Sequence, residues 1–187
     1  MAALVVVLGA CGSLAGDQSP REAPDGRVAP QQGERKPQPS DPGAPEDETL
    51  TLTAPEMERV RNVEVPTGLG NDEELLRENH AVHLLHTGFP WEEEANVYIA
   101  GHRLGYEGTD SYLAFYDIDR MQNGDEIFVT DAEGKEYTYR VFETITVEPT
   151  ELQVLDPMKG KNIISLQACT LPDYSDRIIV RGELVEG

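Results

Sequence analysis

A proline-rich stretch near the N-terminus limits most strongly what this chain can fold into. Nine of the 13 prolines lie in the first 66 residues, and residues 17–48 contain one large aliphatic side chain, Val28, and no aromatic one. Such a segment cannot bury enough apolar surface to offset the entropy lost on ordering it. We therefore interpret residues 17–48 as a disordered, partly polyproline-like linker, and we expect the folded domain to occupy residues 49–187.

The segment before this linker is apolar but short. Residues 2–16 are fewer than the roughly 20 that a helix needs to span a bilayer. No Lys or Arg precedes them, whereas a signal peptide normally begins with a cationic region. Three interpretations stay open: an incomplete membrane anchor or export signal, a lipoprotein processing site with Cys11 as the lipidated residue, and an incidental apolar tail. The first two place the domain outside the cytoplasm, and we predict membrane attachment through residues 1–16.

Charge and cysteine content exclude two classes of protein. The chain carries 15 Lys and Arg residues against 35 Asp and Glu residues, which gives a formal charge of −20. Nucleic-acid binding draws much of its affinity from cationic side chains that neutralise phosphates, so we expect no nucleic-acid partner. The two cysteines, Cys11 and Cys169, lie at opposite ends of the chain, which excludes a disulfide framework.

The folded part consists mainly of short runs typical of β-strands. Seven such runs occupy residues 60–65, 96–100, 126–130, 136–142, 144–148, 163–168 and 177–181. Residues 131–134 predict a hairpin loop, and Asn71 or Asp72 is the expected cap of a helical turn at residues 73–77. A short helix is predicted over about residues 112–121. Many short strands with few helices are typical of a small β-barrel or sandwich.

Cys169 ends the strand predicted at residues 163–168. Alternation along this run places Ile164, Leu166 and Ala168 on one face, which we assign to the core. Cys169 then lies on the opposite face, at a strand end that a substrate can reach. The alternative is a buried thiol that acts only as a small hydrophobic side chain.

Two further residues follow or begin predicted strands and suit a reactive thiol. Arg177 opens the next strand, where pairing can return it beside Cys169 so that its guanidinium stabilises a developing oxyanion. His102 follows an apolar strand, and Gly101 lets the backbone turn there. A solvated edge charge and a surface histidine are the respective alternatives. Because a thiol needs a neighbouring base to become a useful nucleophile, the three residue types together predict one catalytic site.

Four sequence blocks follow one another along the predicted domain. They are Ile99-Ala100-Gly101-His102-Arg103; Phe115-x-x-Ile118-x-x-Met121-x-x-Gly124-Asp125-x-Ile127; Tyr137-x-Tyr139-x-Val141; and Leu166-x-x-Cys169 followed by Arg177-Ile178-Ile179-Val180. Together these blocks resemble those of sortase domains. The resemblance covers roughly residues 57–185. It implies a mainly β fold, a closed or nearly closed barrel of about eight strands with short helices. It also carries the family's catalytic roles to His102, Cys169 and Arg177, whereas papain-type peptidases have Cys before His.

Within this family, the Gly101-His102-Arg103 motif and the residues after Cys169 most resemble class E, with class D next. The usual T-L-x-T-C strand reads Ser165-Leu166-Gln167-Ala168-Cys169 here, so the Thr hydroxyl before the nucleophile is absent. Some class E members have a Tyr after G-H-R that influences the second position of the sorting signal. Tyr106 is a candidate equivalent, with a turn aromatic as the alternative. Tyr106, Ala168 and Thr170 form the predicted substrate-binding set.

The resemblance implies a transpeptidase on the outer face of the membrane, facing the cell wall. Its partners would be secreted proteins with a C-terminal L-P-x-T-G or L-A-x-T-G signal. Cys169 attacks the carbonyl between Thr and Gly, Arg177 stabilises the oxyanion, and His102 protonates the departing amine. An amine of a peptidoglycan precursor or a pilin lysine then accepts the acyl group. Two other functions stay open: a cysteine hydrolase with the same dyad, and a non-catalytic extracellular β binding module.

Metal sites are weakly indicated. Glu92, Glu93 and Glu94, with Glu107 and Asp110, offer the oxygen ligands that Ca²⁺ prefers, but such a charge run is usually a solvated face. The histidines His80, His83 and His86 are spaced so that they do not converge on a strand or loop, and no fourth ligand accompanies them. We therefore expect no metal site and no required cofactor.

Overall fold

The computed structural model describes residues 44–187, and nine strands account for most of the regular structure in that range. The predictions for residues 1–16 and for most of the linker lie outside the described residues. The strands are β1 (Leu50–Thr53), β2 (Val63–Val65), β3 (Thr67–Gly68), β4 (Val82–Leu84), β5 (Ala95–Ala100), β6 (Glu126–Thr130), β7 (Glu136–Val147), β8 (Asn162–Cys169) and β9 (Arg177–Glu186). One helix, α1 (Glu73–Glu78), and two 3₁₀ helices, Ile118–Arg120 and Leu152–Leu155, complete the secondary structure described.

The strands form one sheet in the order β2-β1-β6-β7-β9-β8-β5-β4-β3. Pairing is antiparallel except between β5 and β8 and between β3 and β4. The two edge strands, β2 and β3, are separated only by Pro66, which has no N–H to donate to a ladder. The Pro66 carbonyl accepts from the His83 N–H at 2.9 Å, so the chain leaves one edge of the sheet and joins the other. The predicted nearly closed, mainly β barrel is confirmed, with nine strands rather than eight.

Two local predictions are confirmed by the hydrogen bonding. Asp72 caps α1, because its Oδ1 accepts from the Leu75 N–H at 3.0 Å. Residues 131–134 connect β6 to β7, with Gly134 at a φ of 85°. The side chain of Asp131 further stabilises this loop by accepting from the Lys135 N–H at 2.9 Å.

Other local predictions were wrong. The strands expected at residues 136–142 and 144–148 form the single strand β7, whose pairing with β9 shifts register between Val141 and Glu143. In place of the helix expected over residues 112–121, the chain forms a series of turns that ends in the 3₁₀ helix Ile118–Arg120. Leu113 has a φ of 57°, and its N–H donates to the Leu104 carbonyl at 3.0 Å, which is incompatible with a helix through this residue.

The barrel interior holds the main core. Its completely buried side chains come from the strands and from the segment before β6, and they include Leu50, Leu52, Phe115, Ile118, Ile127, Val129, Ile164, Leu166 and Val180. A second cluster of Tyr98, Val154 and Ile179 covers the opposite face of β5, β8 and β9. Ile164, Leu166 and Ala168 therefore face the core as predicted, and β8 is covered on both faces over much of its length.

His83 in β4 is completely buried inside a closed hydrogen-bond network. Its Nε2 lies 3.0 Å from the Gly88 carbonyl oxygen, and its Nδ1 lies 3.0 Å from the Thr67 hydroxyl. Because a carbonyl only accepts, Nε2 carries the proton and Nδ1 accepts from Thr67. Burial lowers the pKa of His83 to about 4, so the ring is neutral at physiological pH.

This buried ring predicts an acid-sensitive fold. The unfolded chain binds a proton at His83 near pH 6.5, whereas the folded chain binds it only near pH 4. Stability is therefore full above pH 6.5 and decreases as the pH falls to 4, by about 3 kcal/mol from this group. Urea unfolding at several pH values measures the slope. His83→Gln should lose this contribution, His80→Gln should retain it, and equal slopes in the wild type and His83→Gln would contradict the assignment.

Candidate active site

The antiparallel pairing of β8 with β9 places Cys169 and Arg177 directly opposite each other. Residues opposite each other in such a pair have Cβ atoms about 4.5–5.5 Å apart. The loop between them is closed by the Thr170 N–H, which donates to the Asp176 carbonyl at 3.0 Å, and by the Asp176 N–H, which donates to the Thr170 hydroxyl at 3.1 Å. Cys169 is partly exposed and carries a free thiol.

The guanidinium of Arg177 is oriented by the same loop. Its Nη1 donates to the carbonyl oxygens of Tyr174 and Asp176 at 3.3 and 3.1 Å. Its Nε and Nη2 have no hydrogen-bond partner among residues 44–187. By strand register Arg177 lies opposite Cys169, and these remaining N–H groups could serve as donors to a bound group.

His102 comes to the same rim because β5 runs parallel to β8. Ala100 lies opposite Gln167, and the Gly101 N–H donates to the Gln167 carbonyl at 2.9 Å. His102 lies two residues after Ala100, and Cys169 lies two residues after Gln167, so the two residues follow corresponding positions of the parallel strands. The Nε2 atom of His102 is buried and has no hydrogen-bond partner in the described part of the chain.

The surroundings of His102 set its protonation and orientation. Burial lowers its pKa below the ordinary value of 6.5, and the negative charge of Glu73 in α1 opposes this effect. The Tyr106 ring packs edge-on against the imidazole, with centroids 5.6 Å apart. The Arg77 guanidinium of α1 lies 5.8 Å from the centre of the Tyr106 ring. Helix α1 and Tyr106 thus form one side of the site.

The three residues predicted to bind substrate lie in different environments. Tyr106 is 43% exposed beside His102, and Thr170 directly follows Cys169 in its loop. Ala168 does not fit the prediction, because its side chain is 2% exposed and packs in the barrel core. Position 168 faces inward by strand alternation. Because alanine has no polar side-chain group, Ala168 leaves none unpaired in the core.

Sequence reasoning missed Tyr98 on the outward face of β5. Its hydroxyl donates to Gln167 Oε1 at 2.8 Å, and Gln167 shares the face of β8 that carries Cys169. Burial raises the pKa of Tyr98. The signal was present in the alternation of β5, where Val97 and Ile99 face the core and Tyr98 must face the other side.

No group of three or more His, Cys, Asp or Glu side chains within residues 44–187 is arranged to hold a metal ion. Glu94, one of the candidate Ca²⁺ ligands, instead accepts from the Gly160 N–H at 2.6 Å. Among the described residues, no helix has the length and hydropathy needed to cross a bilayer.

These features define a β-barrel domain that brings a thiol, an imidazole and a guanidinium to the adjoining ends of three neighbouring strands. A model of the sortase domain matches residues 52–185, which is most of the chain. The chain belongs to the sortase family, whose members are cysteine transpeptidases.

Similar proteins agree with this assignment. Over 90 residues the chain is 34% identical to sortase A of Streptococcus agalactiae serotype III (strain NEM316), which covers 48% of this chain and 36% of that protein. It is 35% identical over 92 residues to sortase A of Listeria monocytogenes serovar 1/2a (strain ATCC BAA-679 / EGD-e), which covers 49% and 39%. The matched part is thus well under half of either relative.

Solved sortase structures share the fold. Sortase C1 of Streptococcus agalactiae superposes with a TM-score of 0.62 at 26% identity, covering 73% of this chain and 67% of that one. Sortase A of Corynebacterium diphtheriae gives a TM-score of 0.64 at 22% identity, covering 78% and 64%. At this identity the second match supports the barrel architecture alone.

Proposed function

We propose that the chain is a cysteine transpeptidase that cleaves an L-P-x-T-G or L-A-x-T-G sorting signal between Thr and Gly. It would join the Thr carboxyl to an amine of the cell wall or of a pilin. The observation that carries this proposal is the strand pairing, which sets Arg177 opposite Cys169 and brings His102 to the end of the parallel neighbour. Membership of the sortase family supports the same reaction.

The proposed reaction has two steps. In the first, the thiolate of Cys169 attacks the Thr carbonyl carbon, and the N–H groups of Arg177 stabilise the oxyanion. The C–N bond to Gly breaks as imidazolium at His102 gives its proton to the leaving amine, which leaves a thioester on Cys169. In the second, an acceptor amine attacks the thioester and gives a proton back to His102. The new amide is released and the thiolate is restored.

We further infer that the chain is a class E sortase, with class D as the alternative, because His102 lies in a Gly-His-Arg motif. Tyr106 is the proposed contact for the second residue of the signal, since it stands exposed beside His102. The proposed partners are secreted proteins with such a signal and a peptidoglycan or pilin amine. The proposed reaction uses no cofactor. Residues 1–16 are proposed to attach the domain to the cell membrane, on the outer side that faces the cell wall.

Product analysis with the full 187-residue chain tests the proposal. The protein is incubated with L-P-x-T-G and L-A-x-T-G peptides, with and without triglycine, and the products are identified by mass spectrometry. A new Thr–Gly amide that forms only with added triglycine supports a transpeptidase. Release of the free acid alone in both conditions favours the hydrolase, and no cleavage of either peptide favours the binding module. A peptide with the same residues in scrambled order is the control.

A further inference from the structure

The short segment that carries His102 is fixed to the segment 115–119 at three consecutive residues. A Cβ atom on Gly101 would lie 2.7 Å from the Phe115 ring, so only glycine allows this approach. The His102 carbonyl accepts from the Phe115 N–H at 2.9 Å. Arg103 Nη2 then donates to the Tyr116 carbonyl at 2.9 Å and to Asp119 Oδ2 at 2.8 Å.

The segment that receives these contacts is itself rigidly held. Phe115 and Ile118 are completely buried in the barrel core. A side chain bonded to Tyr116 and Asp119 is therefore tied to the core rather than to a free loop. The guanidinium of Arg103 also lies 5.9 Å from the centre of the Tyr116 ring, within range of a cation–π interaction.

Fold stability alone is a poor explanation for an arginine at this position. Arg103 is only 8% exposed, and its buried Nε has no hydrogen-bond partner in the described residues. Burying a charged group is strongly unfavourable, and apolar side chains of similar volume often stabilise as well as a buried ion pair. The incomplete pairing of this guanidinium makes such a replacement still more favourable. What an apolar residue cannot supply is a directed hydrogen bond to the backbone carbonyl of Tyr116 together with an ion pair to Asp119, whose side chain is half exposed.

We propose that Arg103 is a positioning residue that holds the imidazole of His102 in line with Cys169 through its bonds to Asp119 and the Tyr116 carbonyl. This inference rests on the proposed function. Arg103 acts on the backbone that carries the imidazole and contacts neither the thiol nor a substrate. Because a misplacement of about 1 Å can cost on the order of 100-fold in rate, loss of the tether should lower kcat far more than it changes KM.

The test compares Arg103→Met, Arg103→Lys and Asp119→Asn with Arg140→Gln, a control whose guanidinium pairs with Glu126 at an exposed site on β7. Arg103→Met should lower kcat about 50-fold with KM within about 3-fold. Lys keeps the charge and one donor group, so it should recover part of the rate, and Asp119→Asn should cost about 5-fold. Arg140→Gln should match the wild type.

A second measurement does not depend on peptide cleavage. In protein with ¹³C-labelled histidine, the Cε1–H resonance of His102, assigned by its loss in His102→Ala, should shift or split in Arg103→Met and stay unchanged in Arg140→Gln. Failure of the wild type to process either peptide would defeat the proposed function, while this resonance still tests the tether. If Arg103→Met does not fold, Arg103→Lys and Asp119→Asn decide. Wild-type kcat together with an unchanged His102 resonance in the folded variants would overturn the proposal.

Discussion

Replacing Cys169 with Ala should reduce peptide cleavage by at least about 10⁴-fold, because the sulfur is the proposed nucleophile and water cannot replace it at the end of β8. The barrel should remain folded. Cys169 is partly exposed and Ala lacks only the sulfur atom, so the free energy of unfolding should change by about 1 kcal/mol or less. A fluorescence-quenched L-P-x-T-G or L-A-x-T-G peptide measures the rate, and circular dichroism measures the unfolding temperature.

The chain supplies a matched control for this variant. Cys11 is the second cysteine in the sequence, and Cys11→Ala should retain full cleavage and full labelling of Cys169 by a thiol reagent. Cleavage that persists in Cys169→Ala, or that disappears in Cys11→Ala, would show that Cys169 is not the nucleophile. Accumulation of a peptide adduct on Cys169 in the absence of an amine would give direct support for the thioester step.

Replacing His102 with Ala should lower kcat by about 10³-fold, which is within the range for removal of a general acid and base. The pH dependence gives a sharper test. The proposed reaction uses imidazolium at His102 together with a thiolate at Cys169, so kcat/KM should follow a bell-shaped curve. Burial lowers the pKa of His102, so its inflection should lie below pH 6.5.

The carboxylate of Glu73 affects the pH of that inflection, because it acts on the pKa of His102. Its negative charge favours imidazolium, so Glu73→Gln should lower the pKa of His102 further and shift the inflection to more acidic pH. Glu74→Gln, at the next position of the same helix, is the control and should leave the curve in place. An inflection that stays fixed in Glu73→Gln, or that survives in His102→Ala, would assign it to another group.

The residue pattern was sufficient to predict a mainly β domain, a barrel or a sandwich, with separate strands that end at the site. The resemblance to sortases then favoured the barrel. Alternation along β8 gave the core face through Ile164 and Leu166, because a two-residue period follows directly from strand geometry. The pairing that sets Arg177 opposite Cys169 was anticipated from the order of the strands. Their exact register was not predictable, since it depends on the loop hydrogen bonds between Thr170 and Asp176.

The missed features depend on contacts between distant parts of the chain. β1, β3 and β4 have two to four residues each, too few to show a period. The helix expected over residues 112–121 does not form because Leu113 bonds to Leu104 across a turn. The bond from Arg103 to Asp119 was missed because the sequence around Arg103 does not distinguish a buried arginine from a solvated surface charge.

The junction at Pro66 also affects how this domain meets other molecules. An open sheet margin presents unpaired amide and carbonyl groups, which invite strand addition and fibrous self-association. Here the margins are β2 with three residues and β3 with two, and they are consecutive along the chain. A strand from another molecule would therefore find too few unpaired backbone groups to form an extended ladder. Even at high local concentration, such domains would therefore be protected against stacking edge to edge.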